Sequence, residues 1–406
     1  MSKPTNATIA FSASNASVLL DLVRGLAALL VLLSHWKVLF FVNYPEIPGP
    51  HAAFAIPYVL CDAGHQAVVI FFVLSGYLIS GSVFRALERD TWSWRSYLTH
   101  RFVRLWIVVL PGLLLGGLLD WIGIHFAHCP GLYSTAVQKT HGIDVAVDLK
   151  TRFFLGNLAF LQTWLVPCFG SNASFWSLAN EFWYYILFPL VWIGWRGRFT
   201  AVQRAVSLML FVGIAWLVRE PFLPLFPVWI AGTALNGLPS LRCGNLFRSV
   251  AAVTYAVAVL AFAKLHFGLT ELQGDYLFGA ITVLFLWILL SARSTVASGW
   301  HVRPVRTLAR FSFSLYVLHL PALLLLSALT AGTQVWSPKD PRRDLLAVVV
   351  LLATLVYAYL VAAMTEFHTD TVRSWIERRL GIRDSNSGGA SSINFKEVKP
   401  ATQALQ

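Results

Sequence analysis

The sequence predicts an all-α polytopic membrane protein with about ten transmembrane helices and both termini cytoplasmic. Three observations carry that prediction: the apolar composition, the scarcity of charge and the uneven placement of basic residues. Apolar residues make up 57% of the 406 positions and charged residues 12%, with a mean hydropathy of +0.65. A soluble domain carries about 25% charged residues, and a water-soluble fold of this size has too much surface for so few. Soluble enzymes, nucleic-acid binders and disordered scaffolds are excluded on that ground. The formal charge of +12 points to cytoplasmic loops beside a bilayer rather than to a polyanionic partner.

Residues 1–16 are small and polar and read as a disordered cytoplasmic N-terminus. Apolar runs follow near 17–40, 64–84, 102–125, 174–194, 203–218, 222–238, 248–264, 275–292, 311–330 and 344–366. Most reach the roughly 17–25 residues that a tilted helix needs to cross hydrocarbon. The weakest is 222–238, interrupted by Pro224 and Pro227. Broken helices at membrane depth line a cavity or pack inside protein. The first run lacks a small-x-small exit, so no cleavable targeting peptide is expected.

With ten spans, 21 of the 31 Lys and Arg fall on the side of the termini and nine on the other, with Arg24 inside the first span. That bias assigns the termini to the cytoplasm. Omitting the sixth span would put the Arg293–Arg310 loop outside, so the bias favours counting it. The domain reading is one transmembrane domain, 17–366, with an external segment at about 126–173. A cytoplasmic tail, 367–406, is disordered after about 384. No internal repeat of a secondary-transporter kind is visible.

The four cysteines show no CxxC pair, and no metal site is expected, the His125-x-x-His128-Cys129 cluster included. Cys129 and Cys168 share the external segment. A bridge between them would close a loop of about 40 residues in an oxidising compartment, the alternative being two unpaired thiols.

Ionisable groups inside a span are costly and mark functional candidates. Arg24 and His35 stand eleven residues apart on the first span, on one face and about 16 Å apart along the axis. Asp21, three residues earlier, can pair with Arg24. An ion pair at the membrane edge plus a core histidine explains the same residues. Ser75-Gly76 on the second span admits a close backbone or a slim ligand. Arg101 and Arg104, one turn apart at a helix N-terminus, suit phosphate groups, and equally suit a purely topological role. Glu181 sits among aromatic residues that fit either a sugar site or an interfacial belt. His319 lies within the ninth span, as a functional or a structural histidine.

Five blocks together resemble the acyltransferase-3 family. They are Leu20-Asp21-x-x-Arg24-Gly25-x-Ala27 with His35, Phe71-Phe72-Val73-Leu74-Ser75-Gly76-Tyr77, Arg101-x-x-Arg104, Trp176-Ser177-Leu178-x-x-Glu181 with Tyr185-x-x-Phe188-Pro189, and Ser314-Leu315-Tyr316-x-x-His319-x-Pro321. They occur in the family's order over about 17–366. The family's members are integral membrane enzymes that move acyl groups, usually acetyl, from cytoplasmic acyl-CoA to envelope saccharides or exported molecules. The resemblance implies a catalytic role for His35, supported by Arg24 and Glu181. It implies donor contacts by Arg101, Arg104, Ser75, Gly76, Tyr77, Tyr316 and His319. Acetyl-CoA is then the donor substrate, a saccharide-containing molecule the acceptor, and a bacterial inner membrane the location. Three positions depart from the family pattern: Ala67 replaces a second Gly, His100 replaces an Arg before the Arg101/Arg104 pair, and Pro111 comes late. The external SGNH-type hydrolase domain of some members is not expected. An imidazole of ordinary pKa near 6.5 suits the general base that acyl transfer to a hydroxyl needs. The rival reading is a multi-pass transporter or flippase for a saccharide or lipid-linked intermediate, with Arg24, His35 and Glu181 as a relay.

Overall fold

The computed structural model describes residues 15–136, 145–197, 199–265, 267–291 and 302–382. The expected disordered termini lie outside these, apart from residues 15 and 16. The long helices are α1 (Asn15–Phe40), α2 (Ala55–Asp62), α3 (Gly64–Glu88), α4 (Trp94–Phe126), α5 (Thr151–Leu158), α6 (Phe175–Trp195) and α7 (Ala201–Leu217). They continue with α8 (Phe226–Thr233), α9 (Asn245–Lys264), α10 (Glu271–Leu290), α11 (Val302–Thr330), α12 (Pro341–Met364) and α13 (Thr369–Arg379). Among the described residues there is no sheet, only the isolated bridges Phe41–Trp336 and Gln162–Val166. Helices satisfy their own backbone polar groups, which is the condition for crossing hydrocarbon. Local signals set their starts: Thr200 and Thr270 open α7 and α10 with capping boxes to Gln203 and Gln273, and Asp340 caps α12 with Pro341 in its first turn.

All ten apolar runs fall on helices. Seven helical segments are long and apolar enough to cross a membrane, and the pair Ala201–Leu217 with Arg219–Asn236, bent by 96°, makes an eighth if it is one span. The count is therefore lower than ten by this measure. Two features lower it: the sharp break near 218, and the polar Asn180-Glu181 and aromatic residues that dilute α6. At 21 residues, α6 is still about 31 Å long.

Helix α11 forms the centre, packed against α1, α4 and α12. Its Leu315, Val317, His319 and Leu323 have no solvent exposure. At one end of the bundle the start of α1 meets that of α11 through Arg24 and the Ala309 carbonyl. There too α4 meets α3 through Arg101 and Ser82, and the residues after α12 meet α11 through Glu366 and Ser314. At the other end Lys37 pairs with Asp62 at 2.5 Å. The segment 126–173, where described, packs down on that far part of the bundle. Phe153, Phe160 and Phe169 are buried, and Asp120 of α4 accepts from the Ser171 amide and hydroxyl at 2.7 Å each. Cys129 and Cys168 form no disulfide. Cys168 is buried against the Ala173 carbonyl, whereas Cys129 sits beside Gly332, so of the two alternatives the structure has the separate thiols.

The broken sixth run packs inside protein, as its prolines suggest. Helix α8 presses its backbone on α3 at two glycines. A Cβ on Gly76 would lie 1.9 Å from the Trp229 carbonyl oxygen, and one on Gly232 would lie 2.1 Å from that of Val73. Small residues allow this approach. Gly76→Ala should therefore cost at least about 1–3 kcal/mol through overpacking and lower the unfolding midpoint in detergent. Gly213→Ala on α7, where nothing lies within 4 Å, should leave it unchanged or raise it, because Ala favours a helix interior. Equal midpoints for the two variants would contradict the close crossing.

Candidate active site

A cavity of about 120 Å³ opens between α1, α3, α4, α6 and α11, lined by Arg24, Ser75, Arg101, Arg104, Glu181 and Tyr316 among others. Six residues singled out from sequence thus meet across five helices. Each is placed by its helix: Arg101 and Arg104 by the first turns of α4, Glu181 by the first half of α6, Tyr316 by the centre of α11.

Three guanidiniums and one carboxylate line this space, so it is electropositive. Arg24 donates to the Ala309 carbonyl at 2.8 Å and to Asp21 at 3.3 Å. Arg101 reaches Ser82 at 3.5 Å and lies over the Tyr97 ring, 5.5 Å from its centre. The Nε atoms of Arg24 and Arg101 are both buried and without a hydrogen-bond partner. A buried donor left unmet costs about 1–3 kcal/mol, more on a charged group. Both side chains line the cavity, whose positive charge fits an anionic ligand.

Glu181 is tied down on the opposite wall. It accepts from Ser75 at 2.6 Å and from the Tyr185 hydroxyl, and Ser75 in turn accepts from Trp229 Nε1 at 3.1 Å. The short helix α8 therefore orients the carboxylate through Ser75. Tyr316 exchanges a 2.6 Å hydrogen bond with Ser177 and donates to the Ser174 carbonyl at 3.0 Å.

One turn beyond Tyr316, His319 meets His35. Their ring centres are 5.0 Å apart, and His319 Nε2 lies 3.2 Å from His35 Nδ1. Each Nδ1 also faces the carbonyl four residues back, Val31 or Leu315, at 3.0 Å. A carbonyl only accepts, so both neutral rings carry hydrogen on Nδ1. His35 Nδ1–H is then shared between Val31 and His319 Nε2, which leaves His35 Nε2 as its basic nitrogen. The Tyr316 and His319 rings are 6.2 Å apart, which links the histidine pair to the cavity wall.

Gly76 and Tyr77 do not line the cavity. Gly76 lies in the α3–α8 crossing, and the Tyr77 carbonyl accepts from Asn236. Several residues of the site escaped sequence reading. Trp229 sits in the weak sixth run and belongs to no motif. Tyr185 stood within a quoted block. Glu366, whose Oε2 accepts from the Ser314 amide and hydroxyl at 3.0 and 2.8 Å, carried a usable signal: an ionisable group ending the last apolar run.

The long apolar helices of the bundle are those of a multi-pass membrane protein. The chain belongs to the acyltransferase-3 family, whose acyltransferase-domain model matches residues 18–374. A protein of Haemophilus influenzae described as uncharacterized is 27% identical over 146 residues, 35% of this chain and 56% of that protein. The chain thus matches little more than half the length of that relative. No solved structure matches.

Pyrophosphate, a bare probe of the guanidiniums, should bind the purified protein and raise its unfolding midpoint. Arg101→Gln should weaken that binding about tenfold, the equivalent of about 1.4 kcal/mol. Arg95→Gln, outside the cavity lining, should barely change it. Equal losses in both would reduce the effect to bulk positive charge.

Proposed function

We propose that the chain transfers an acetyl or other short acyl group from cytoplasmic acetyl-CoA to a hydroxyl of a cell-envelope or exported saccharide, with His35 as general base. The observation that carries the proposal is the histidine pair one turn from an arginine-lined cavity, with the tautomer of His35 held by Val31 and His319. The location is the bacterial inner membrane, with both termini cytoplasmic, in keeping with the basic residues gathered at one end of the bundle.

Arg101 and Arg104 take the phosphates of the donor, and its pantetheine arm extends along the cavity past Ser75 and Tyr316. His35 Nε2 removes the proton of the acceptor hydroxyl as its oxygen attacks the thioester carbonyl. The tetrahedral intermediate expels the coenzyme A thiolate, and the imidazolium returns the proton to sulfur. His319 is a positioning residue: its Nε2 accepts from His35 Nδ1–H and stabilises the imidazolium. Arg24, about 16 Å along α1 from His35, adds its charge to the Arg101 and Arg104 end of the cavity, where the donor's phosphates bind. Glu181, held by Ser75 and Tyr185, completes the site.

Purified protein incubated with radiolabelled acetyl-CoA provides the test. Transfer or hydrolysis of the acetyl group should fall by at least about 10²-fold in His35→Ala and His35→Gln at equal expression, the usual contribution of a general base. Near-normal turnover in either would remove His35 from that role. Arg24→Lys should keep partial activity, because an ammonium cannot reproduce the planar fork.

The donor end predicts a separate kinetic signature. Arg101→Ala/Arg104→Ala should raise KM for acetyl-CoA by roughly tenfold or more, and the parent's KM should rise with salt as the charges are screened. An unchanged KM together with altered membrane orientation would leave these arginines only a topological role.

A further inference from the structure

A second cavity, of about 330 Å³, lies at the end of the bundle away from the arginines, between α3, α9 and α10. A water's share of liquid volume is about 30 Å³, so the space suits a ligand rather than a bridging water. Two carboxylates and a histidine line it: His65 Nε2–H donates to Asp275 at 2.7 Å, and His65 Nδ1 is 3.9 Å from Glu271. Asp275 is 6% exposed although it sits inside a membrane helix, a costly position. Gln66 also lines the cavity. Its amide nitrogen donates to the Phe262 carbonyl at 3.1 Å, and its Oε1 is buried without a hydrogen-bond partner.

Three phenylalanines also line the cavity. Phe262 touches Phe267 and Phe278, with ring centres 5.0 and 5.3 Å apart. Phe267 is held at φ +41°, in the left-handed region that a bulky side chain rarely adopts. Such strain concentrates at ligand sites. Aromatic rings and fixed acceptors in one cavity match a sugar ring, with apolar C–H faces and a rim of hydroxyl donors. Among the described residues no Lys or Arg lines the cavity, so its carboxylates disfavour anionic ligands.

The cavity is level with His35. A Cβ on Gly64 would touch the Ser34 side chain at 2.6 Å, which places the first turn of α3 beside the His35 turn of α1. Asp62 joins Lys37 of α1 to Lys264 at the end of α9, 3.5 Å away.

We propose that the Gln66–Asp275–Phe267 cavity is a recognition site for an uncharged saccharide unit of the acceptor. This rests on the acyl-transfer reading only for calling that ligand the acceptor. Asp275, oriented by His65, and Gln66 Oε1 accept from ring hydroxyls, while Phe267 covers the sugar face.

Saturation-transfer NMR on the full-length protein in lipid nanodiscs tests it, with the methyl glycosides of glucose, galactose and mannose and, as anionic control, methyl glucuronide. At least one neutral glycoside should receive saturation. The signal should fall at least fivefold in Asp275→Asn and in Phe267→Ala, whose exposed side chain leaves the core intact, and be at least fivefold weaker for the glucuronide. No transfer to any neutral glycoside, a signal surviving both variants, or an equal glucuronide signal would overturn the proposal. Acetyl-CoA hydrolysis in the same samples separates the two readings. Hydrolysis without glycoside binding overturns this site alone, and glycoside binding without hydrolysis overturns the donor reading alone.

Discussion

The site is governed by one constraint: a guanidinium at membrane depth must be partnered. Arg24 meets this with a backbone carbonyl and Asp21, and Arg101 with a serine and a tyrosine face. Neither solution is complete, since both Nε atoms remain buried and unmet. Cores seldom leave such donors without reason. Both side chains line the same cavity as Arg104, so the deficit lies beside the site's positive charge. Five helices must hold their relative positions to keep the deficit local, and much of the packing serves that end.

Helix α8 shows how. It is too short to cross a membrane and is broken from α7 by a sharp bend. It survives because it is enclosed, with Trp229 fully buried and glycine contacts that bring its backbone onto α3. That enclosure delivers the Trp229 indole to Ser75, and Ser75 to Glu181. A helix contributing no residue to the cavity lining thus sets the orientation of its carboxylate. The histidine pair is fixed by similar means. The carbonyls of Val31 and Leu315 belong to the helices that carry the rings, so the tautomer follows from secondary structure and leaves one nitrogen of His35 basic.

Much of this was legible in the sequence because membrane burial makes ionisable residues conspicuous. Arg24, Glu181, Arg101 and Arg104 stood out inside or beside apolar runs, and the structure gathers them around one cavity. His35 and His319 were legible as candidates but not as a pair, since 284 residues separate them and only tertiary packing brings them together. Gly76 and Tyr77 share a block with Ser75, yet successive helix positions point 100° apart, and only Ser75 faces the cavity. Trp229 left no trace, because a buried tryptophan in an interrupted apolar run reads as packing. His65 and Asp275 lie in two different runs and fell under the same rule that flagged Arg24, but no motif joined them. The count of spans by length and hydropathy falls below ten for a related reason: the polar and aromatic residues of α6 that build the site also dilute its apolar signal.

We propose that the arginine cavity and the histidine pair are two ends of one acyl-donor site. A cryo-electron microscopy structure with coenzyme A bound tests it most directly. The phosphates should lie against Arg101 and Arg104 and the terminal sulfur beside His35, close enough that an attacking hydroxyl could lie about 3–3.5 Å from the thioester carbon and still reach Nε2. Coenzyme A bound elsewhere, or in this cavity with its sulfur directed away from His35 and His319, would contradict it.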